Sequence, residues 1–172
     1  MSAGYRVEDW VGAAPEHLIA SYARALEGMR DAPVGESRYQ APEWTVDRVR
    51  AIEDELRGQG VERRVVVAVH EATGDVAGVT QMDLYSAAPT CGYQQDTTVV
   101  WAHRGHGLGV CVKAYMVRLL RSQRPEVSRV ETTTNADNTH MIRINHRIGF
   151  TTTRTAVGIS AEMSELSELL GD

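Results

Sequence analysis

The hydrophobic positions change period several times along the chain, and each change marks an element. "YRVEDW" at 5–10 alternates as a half-buried strand does. Leu18, Tyr22, Ala25 and Met29 then recur at helical spacing behind Pro15, a residue suited to a first helical turn. The Pro-, Gly- and polar-rich stretch 31–43 reads as a loop, and Val46, Val49, Ile52 and Leu56 mark a second helix ended by Gly58 and Gly60. "RRVVVAVH" and "DVAGVTQMDLY" are β-branched runs parted by "EATG", which predicts a hairpin with Gly74 in its turn. A loop holding Pro89 and Gly92 leads to a further strand, "DTTVVW", and then to three alternating glycines, Gly105, Gly107 and Gly109. Beyond them the pattern predicts a helix to about Ser122, a strand within "PEVSRVETTT", a helix from about Asn138 to Ile148 closed by Gly149, and a terminal strand "TTTRTAVGISAE". In the tail, Met163, Leu166 and Leu170 fall at i, i+3 and i+7; this is either a short helix packed on the domain or on a second subunit, or a frayed end.

The order is that of a mixed α/β (α+β) domain with mostly antiparallel strands, whose one parallel crossover is the strand–glycines–helix–strand unit at 96–134. A length of 172 residues at 42% hydrophobic content suits a single domain over 1–172, with 162–172 as a tail or oligomer segment. The longest apolar run, "VVVAV" at 65–69, is far short of a membrane span or signal segment, so a soluble, cytoplasmic protein is expected. Cys91 and Cys111 give neither a disulfide framework nor metal-ligand spacing, and the histidines form no HExxH pattern, so no metal is expected. A net charge of −5 argues against nucleic acid as a partner, and any anion site must be local.

"RGHGLG", residues 104–109, is where such a site would lie. Successive backbone N–H groups that open onto a helix N-terminus make an anion cradle, and glycine removes side chains from the ligand's approach. The spacing is not the dinucleotide fingerprint, because Val110 stands where GxGxxG needs glycine, and no Gly-Lys-Ser/Thr follows to make a Walker loop. From the loop alone, a glycine-rich turn without a ligand is an equal reading.

Arg104-x-x-Gly107-x-Gly109 resembles the Arg/Gln-x-x-Gly-x-Gly/Ala signature of the GNAT superfamily of N-acetyltransferases. "NADNTHMIRINHRIGF" resembles that superfamily's final helix with its terminal Gly-Phe, here Gly149 and Phe150, and is similar to a subgroup of small actinobacterial-type GNAT domains, some of which occur as tandem copies. The resemblance implies a GNAT fold: a mixed, mostly antiparallel twisted sheet of about six or seven strands, flanked by four helices and splayed at a central parallel pair. It also implies acetyl-CoA, or another acyl-CoA, as co-substrate. The pyrophosphate would lie on the amides of Arg104, Gly105, His106, Gly107, Leu108, Gly109 and Val110, and the pantetheine would pair with backbone at Val99, Val100 and Trp101. Asn138 is a further candidate to contact the coenzyme, with helix capping as its other reading, and Arg104, Arg143, His146 and Arg147 could offer charge to the 3′-phosphate.

The implied activity is transfer of acetyl to a primary amine of a small molecule by direct attack in a ternary complex. A protonated amine needs a proton acceptor, for which Asp96, Glu131 and Asp83 are candidates. Asn145 shares a helical face with Met141, Ile144 and Ile148, and occupies the place where the family frequently has a tyrosine acid. An amide there can hydrogen-bond sulfur but delivers no proton. Cys111, without a matched His and Asn, reads as packing. The acceptor wall would include Tyr39, Trp44, Asp31, Glu36 and Glu43, whose acids suit a cationic amine. A homodimer is compatible with the tail. The missing tyrosine keeps open an alternative: a catalytically silent GNAT-like module that binds acyl-CoA as a sensor or assembly domain.

Overall fold

The computed structural model of the chain describes residues 3–31, 42–157, 159 and 161–170. In chain order the elements are β1 (Tyr5–Val11), α1 (Glu16–Leu26), α2 (Val46–Gly58), β2 (Val61–His70), β3 (Val76–Tyr85), β4 (Cys91–Val99), α3 (Leu108–Gln123), β5 (Arg129–Glu131), α4 (Thr139–Arg147) and α5 (Met163–Leu170). Short 3-10 turns lie at Glu27–Asp31 and Trp101–His103. The strands form one sheet in the order β1-β2-β3-β4-β5. All neighbours are antiparallel except β4 and β5, the parallel pair joined through α3.

Helix starts follow from side chains that satisfy free amides. Thr45 accepts from Arg48 N–H at 3.1 Å to open α2, and Asn138 Oδ1 accepts from Met141 N–H at 3.0 Å to open α4. The continuous apolar run of β2 is explained by burial on both faces. Val65, Val67 and Val69 pack with Leu18, Tyr22 and Leu26 of α1 and Val49 of α2. Val66 and Ala68 face the other way, with Leu108, Val112, Met116 and Leu120 of α3. Each fully buried Leu, Val or Met contributes about 1.5–3 kcal/mol relative to exposure, so the two layers fix α1 and α2 on one side and α3 on the other.

Three sequence expectations change. The described sheet has five strands, not six or seven. Among its described residues "TTTRTAVGISAE" forms no strand, because none of them pairs with the sheet. The strand expected at "DTTVVW" begins earlier, at Cys91, and stops at Val99 because Trp101 enters a 3-10 turn. α1 to α4 flank the sheet region as expected, and the tail adds α5.

Candidate active site

Between the pairs Met82↔Gln94 and Thr80↔Thr97, β4 carries one residue more than β3, a β-bulge. Side chains pin it. Thr80 and Thr97 hydroxyls are 2.8 Å apart, while Gln94 Nε2 donates to Thr80 Oγ1 at 2.9 Å and to the Gln81 carbonyl at 2.5 Å. The bulge turns Asp96 and Thr98 to the α1–α2 side, where Gln81, Asp83 and Arg63 also point. Arg63 grips Asp83 through two hydrogen bonds of 2.8 and 2.7 Å, and Gln81 Nε2 donates to the Tyr22 hydroxyl at 2.5 Å. Tyr22, Trp44, Glu53, Arg63 and Gln81 surround a cavity of about 10 Å³, room for about one water. Gly28 lets the first 3-10 turn close over this floor, since a Cβ there would sit 2.5 Å from Thr98 Oγ1.

The electrostatics separate the candidate bases. Burial pushes the Asp96 carboxyl above its usual range; Arg63 pulls it down and the neighbouring Asp83 pushes it further up. Asp83 is itself buried, and each of its oxygens accepts from Arg63. Glu131 pairs with Tyr93 along the ladder, and its carboxylate is exposed and bridged to Arg129 Nε at 3.0 Å. Asp96 is left as the candidate that is partly buried and holds no salt bridge among the described residues, with its proton affinity raised. Burial also drives the Tyr22 phenol up, which keeps it protonated.

Next to Asp96 the sheet opens. β5 pairs with β4 only over Cys91–Tyr93, and the last link is Thr132 Oγ1 donating to the Gln94 carbonyl at 3.3 Å. From there to Val99 the outer edge of β4 has no strand beside it among the described residues. At the far end Val100 N–H is held by the Ala77 carbonyl at 2.9 Å, and Arg104 Nε donates to the Val99 carbonyl at 3.2 Å. Backbone groups expected to stay open at Val99 to Trp101 are therefore partly engaged, and the Trp101 side chain is 76% exposed.

The glycine loop follows at once. Gly105 and Gly107 have φ of 85° and 71°, conformations that side chains resist, and a Cβ on either would meet nothing within 4 Å. Gly107 is the residue before α3, and the first helical hydrogen bond runs from Cys111 N–H to its carbonyl at 3.1 Å. The amides of Leu108, Gly109 and Val110 precede that bond, so the 16-residue helix presents them as donors at its positive end. Gly109 is packed: a Cβ there would lie 3.7 Å from both Ile144 Cδ1 and Val99 Cγ2, which fixes α4 against the rim of the opening. On α4, Asn145 is 5% exposed and its Oδ1 is a buried acceptor without a partner among the described residues. These residues fit a coenzyme A: an open donor-lined turn for phosphates, a strand edge for the amide arm and an orphaned acceptor beside it.

The remaining candidates fall less centrally. Asn138 spends its Oδ1 on the α4 cap. Arg143, His146 and Arg147 are exposed, with His146 Nε2 3.1 Å from the Thr152 hydroxyl. Cys111 lies on α3, across the sheet from Asp96. Glu36 and Tyr39 lie outside the described residues. Among the described residues no group of three or more His, Cys, Asp or Glu is arranged to hold a metal ion, and no helix is long and apolar enough to cross a membrane. Tyr22, Arg63, Gln81 and Glu53 were not singled out from the sequence. The signal that could have found Gln81 is the period-2 face Val79-Gln81-Asp83, polar groups on an otherwise apolar strand.

No family model and no curated protein sequence matches the chain. Solved structures do. A tandem GNAT protein from the clavulanic acid biosynthesis pathway is 32% identical, with a TM-score of 0.71 over 87% of this chain and 42% of its own. The chain thus spans less than half the length of that protein. Glucosamine-6-phosphate N-acetyltransferase from Arabidopsis thaliana is 14% identical, with a TM-score of 0.63 over 92% of this chain and 99% of its own. AAC(6′)-Iy in complex with the bisubstrate analogue CoA-S-monomethyl-acetylneamine is 13% identical, with a TM-score of 0.62 over 91% and 99%. The last two show the fold alone, and the sequence likeness of the first carries that fold to a family: the chain belongs to the GNAT superfamily.

Proposed function

We propose that the chain is an acyl-CoA-dependent N-acyltransferase that transfers acetyl from acetyl-CoA to a primary amine of a small molecule. The observation that carries this reading is the adjacency of three features on β4: the bulge that aims Asp96, the opening beyond Tyr93 and the glycine loop that ends the strand. The bisubstrate analogue bound by AAC(6′)-Iy supports it as a precedent on the same fold.

The amides of Gly107 to Val110 would hold the pyrophosphate, and the free edge of β4 would hold the amide arm. The coenzyme supplies an activated acyl thioester. Asp96 takes a proton from the substrate ammonium and leaves a neutral amine lone pair; burial, by raising its proton affinity, makes it a better base. The Arg63–Asp83 pair holds the floor beneath it without adding net charge. Asn145, on α4, would donate its side-chain N–H to the sulfur side of the thioester, while its Oδ1 would accept from an amide of the coenzyme's arm.

Thiol release from acetyl-CoA across a panel of primary amines tests the reading. Amine-dependent release that falls with Asp96→Asn supports it. Tight coenzyme binding with no release on a broad panel instead favours the silent binding module, for which the amide at Asn145 in place of an ionisable donor is the specific observation.

A further inference from the structure

Three histidines that the acyl-transfer chemistry does not use gather around the base of the glycine loop. The Tyr5 hydroxyl, from the first residue of β1, is 2.9 Å from His103 Nδ1. The Tyr5 ring lies 5.4 Å from His70, 5.6 Å from His103 and 5.6 Å from His106, centroid to centroid, and His70 and His103 are 5.0 Å apart. The rings tilt against one another instead of converging on a point, consistent with the absence of a metal-holding group among the described residues. His103 and His106 bracket Arg104 and Gly105, so two of the three imidazoles belong to the loop itself, while His70 closes β2 on the sheet.

From these positions we infer that the glycine loop is a proton-coupled anion site: when a pyrophosphate binds it, the His70–His103–His106 cluster takes up a proton. This rests on the reading of the loop as the coenzyme cradle and adds a regulation to it.

The groups that face His103 come from each neighbouring element: Tyr5 from β1, His70 from the end of β2, His106 from the loop and Asp75 from the β2–β3 turn. Asp75 is itself bridged to Arg24 of α1 at 2.7 Å. Burial, and then the presence of His70 and His106, hold the His103 imidazole below its ordinary proton affinity, with Asp75 opposing weakly. Without a ligand, then, His103 resists charge. Two negative charges at the loop reverse that balance, because attraction to the phosphates offsets the repulsion among imidazoles. Tyr5 suits both states. Its hydroxyl donates to Nδ1 when the ring is neutral and accepts from Nδ1–H when the ring is charged, so protonation costs no hydrogen bond.

The probe is 3′-dephospho-coenzyme A, because a phosphate monoester loses its second proton near about pH 6 and would add its own titration. Calorimetric titration of the full chain in two buffers of different ionisation heat should show net uptake of about half a proton or more near neutrality. Affinity should fall roughly 3- to 10-fold from pH 6 to pH 8, tenfold being the limit for one unit of pKa change. His103→Gln should remove about half of the uptake or more. His70→Gln relieves repulsion without touching the loop and should move the pH of maximal uptake upward. Histidine ring-proton titration by NMR, with and without the probe, gives a second readout in which the His103 midpoint rises on binding. Binding with no net proton exchange would refute the coupling and leave the coenzyme reading standing. No binding at either pH would overturn both.

Discussion

At the scale of single residues, Asp96 and Asn145 gain their chemistry from what surrounds them. Asp96 is displaced upward first by burial and then by Asp83, so the acid limb of kcat/KM should lie above the ordinary carboxylate range. Asp96→Asn should lower kcat/KM by about 10²- to 10⁴-fold, the usual worth of a general base. A mutant with full activity and an unmoved acid limb would return the role to Glu131 or to water. Asn145 is different in kind. Its Oδ1, a buried acceptor without a partner among the described residues, is a cost to the fold. Asn145→Ala should therefore leave the melting temperature nearly unchanged and reduce kcat by roughly 10- to 1000-fold, more than it raises the KM for acetyl-CoA. Should kcat survive while the protein melts earlier, the amide is a packing group.

At the scale of elements, the α3–α4 contact holds the least expected feature, Lys113. It is 2% exposed, lies 5.5 Å from the centre of the Phe150 ring and has no carboxylate bridged to it among the described residues. Burial lowers its pKa to about 8. The sign follows: between about 8 and its ordinary value the unfolded chain binds the extra proton, so stability rises with pH across that window and the penalty is present in full below it. Lys113→Met, which keeps the stem and drops the charge, should raise unfolding free energy at pH 7 by about 1–3 kcal/mol in denaturant titration and flatten the alkaline rise. A destabilised mutant would mean that the ammonium has a use, such as a bound anion. Lys113 was not visible in the sequence, because charge at one helical position does not reveal what a helix thirty residues later will cover. The same limit explains the rest of what sequence reading missed. Helices α2 and α4 are legible to within a residue or two and α1 at its start, since period, Pro15 and Gly149 are local signals, whereas the period read on to Met29 runs past the end of α1 at Leu26. The Arg63–Asp83 pair depends on strand register, and the bulge at Gln95–Asp96 depends on one extra residue against β3. The "TTTRTAVGISAE" segment carries strand propensity, yet β5 is only three residues long and leaves little edge to extend.

At the scale of the whole molecule, the proposed order of events turns on the opening in the sheet. The glycine loop and α3 belong to the layer packed on Val66, Ala68 and Met82, whereas Asp96, Arg63 and Gln81 face the α1–α2 layer. A coenzyme seated on the loop would thus approach from one side of the sheet and an amine from the other, and the gap beyond Tyr93 is where they meet. Neither has to leave before the other enters. Cys91 is buried with Sγ 3.7 Å from the Gly92 carbonyl, and Cys111 is on α3, on the other side of the sheet from Asp96. Initial rates should therefore give intersecting lines for acetyl-CoA against amine, and Cys111→Ala should keep most of the activity. The loop supplies the independent control. Gly107→Glu places a side chain at a φ that resists one and a carboxylate where phosphates would sit, so coenzyme A affinity should drop at least about 100-fold in a chain that still shows cooperative melting. Parallel lines, or an acylated Cys111 peptide after a single-turnover quench, would replace the ternary complex with a covalent relay, and the two-sided approach through the sheet would lose its purpose.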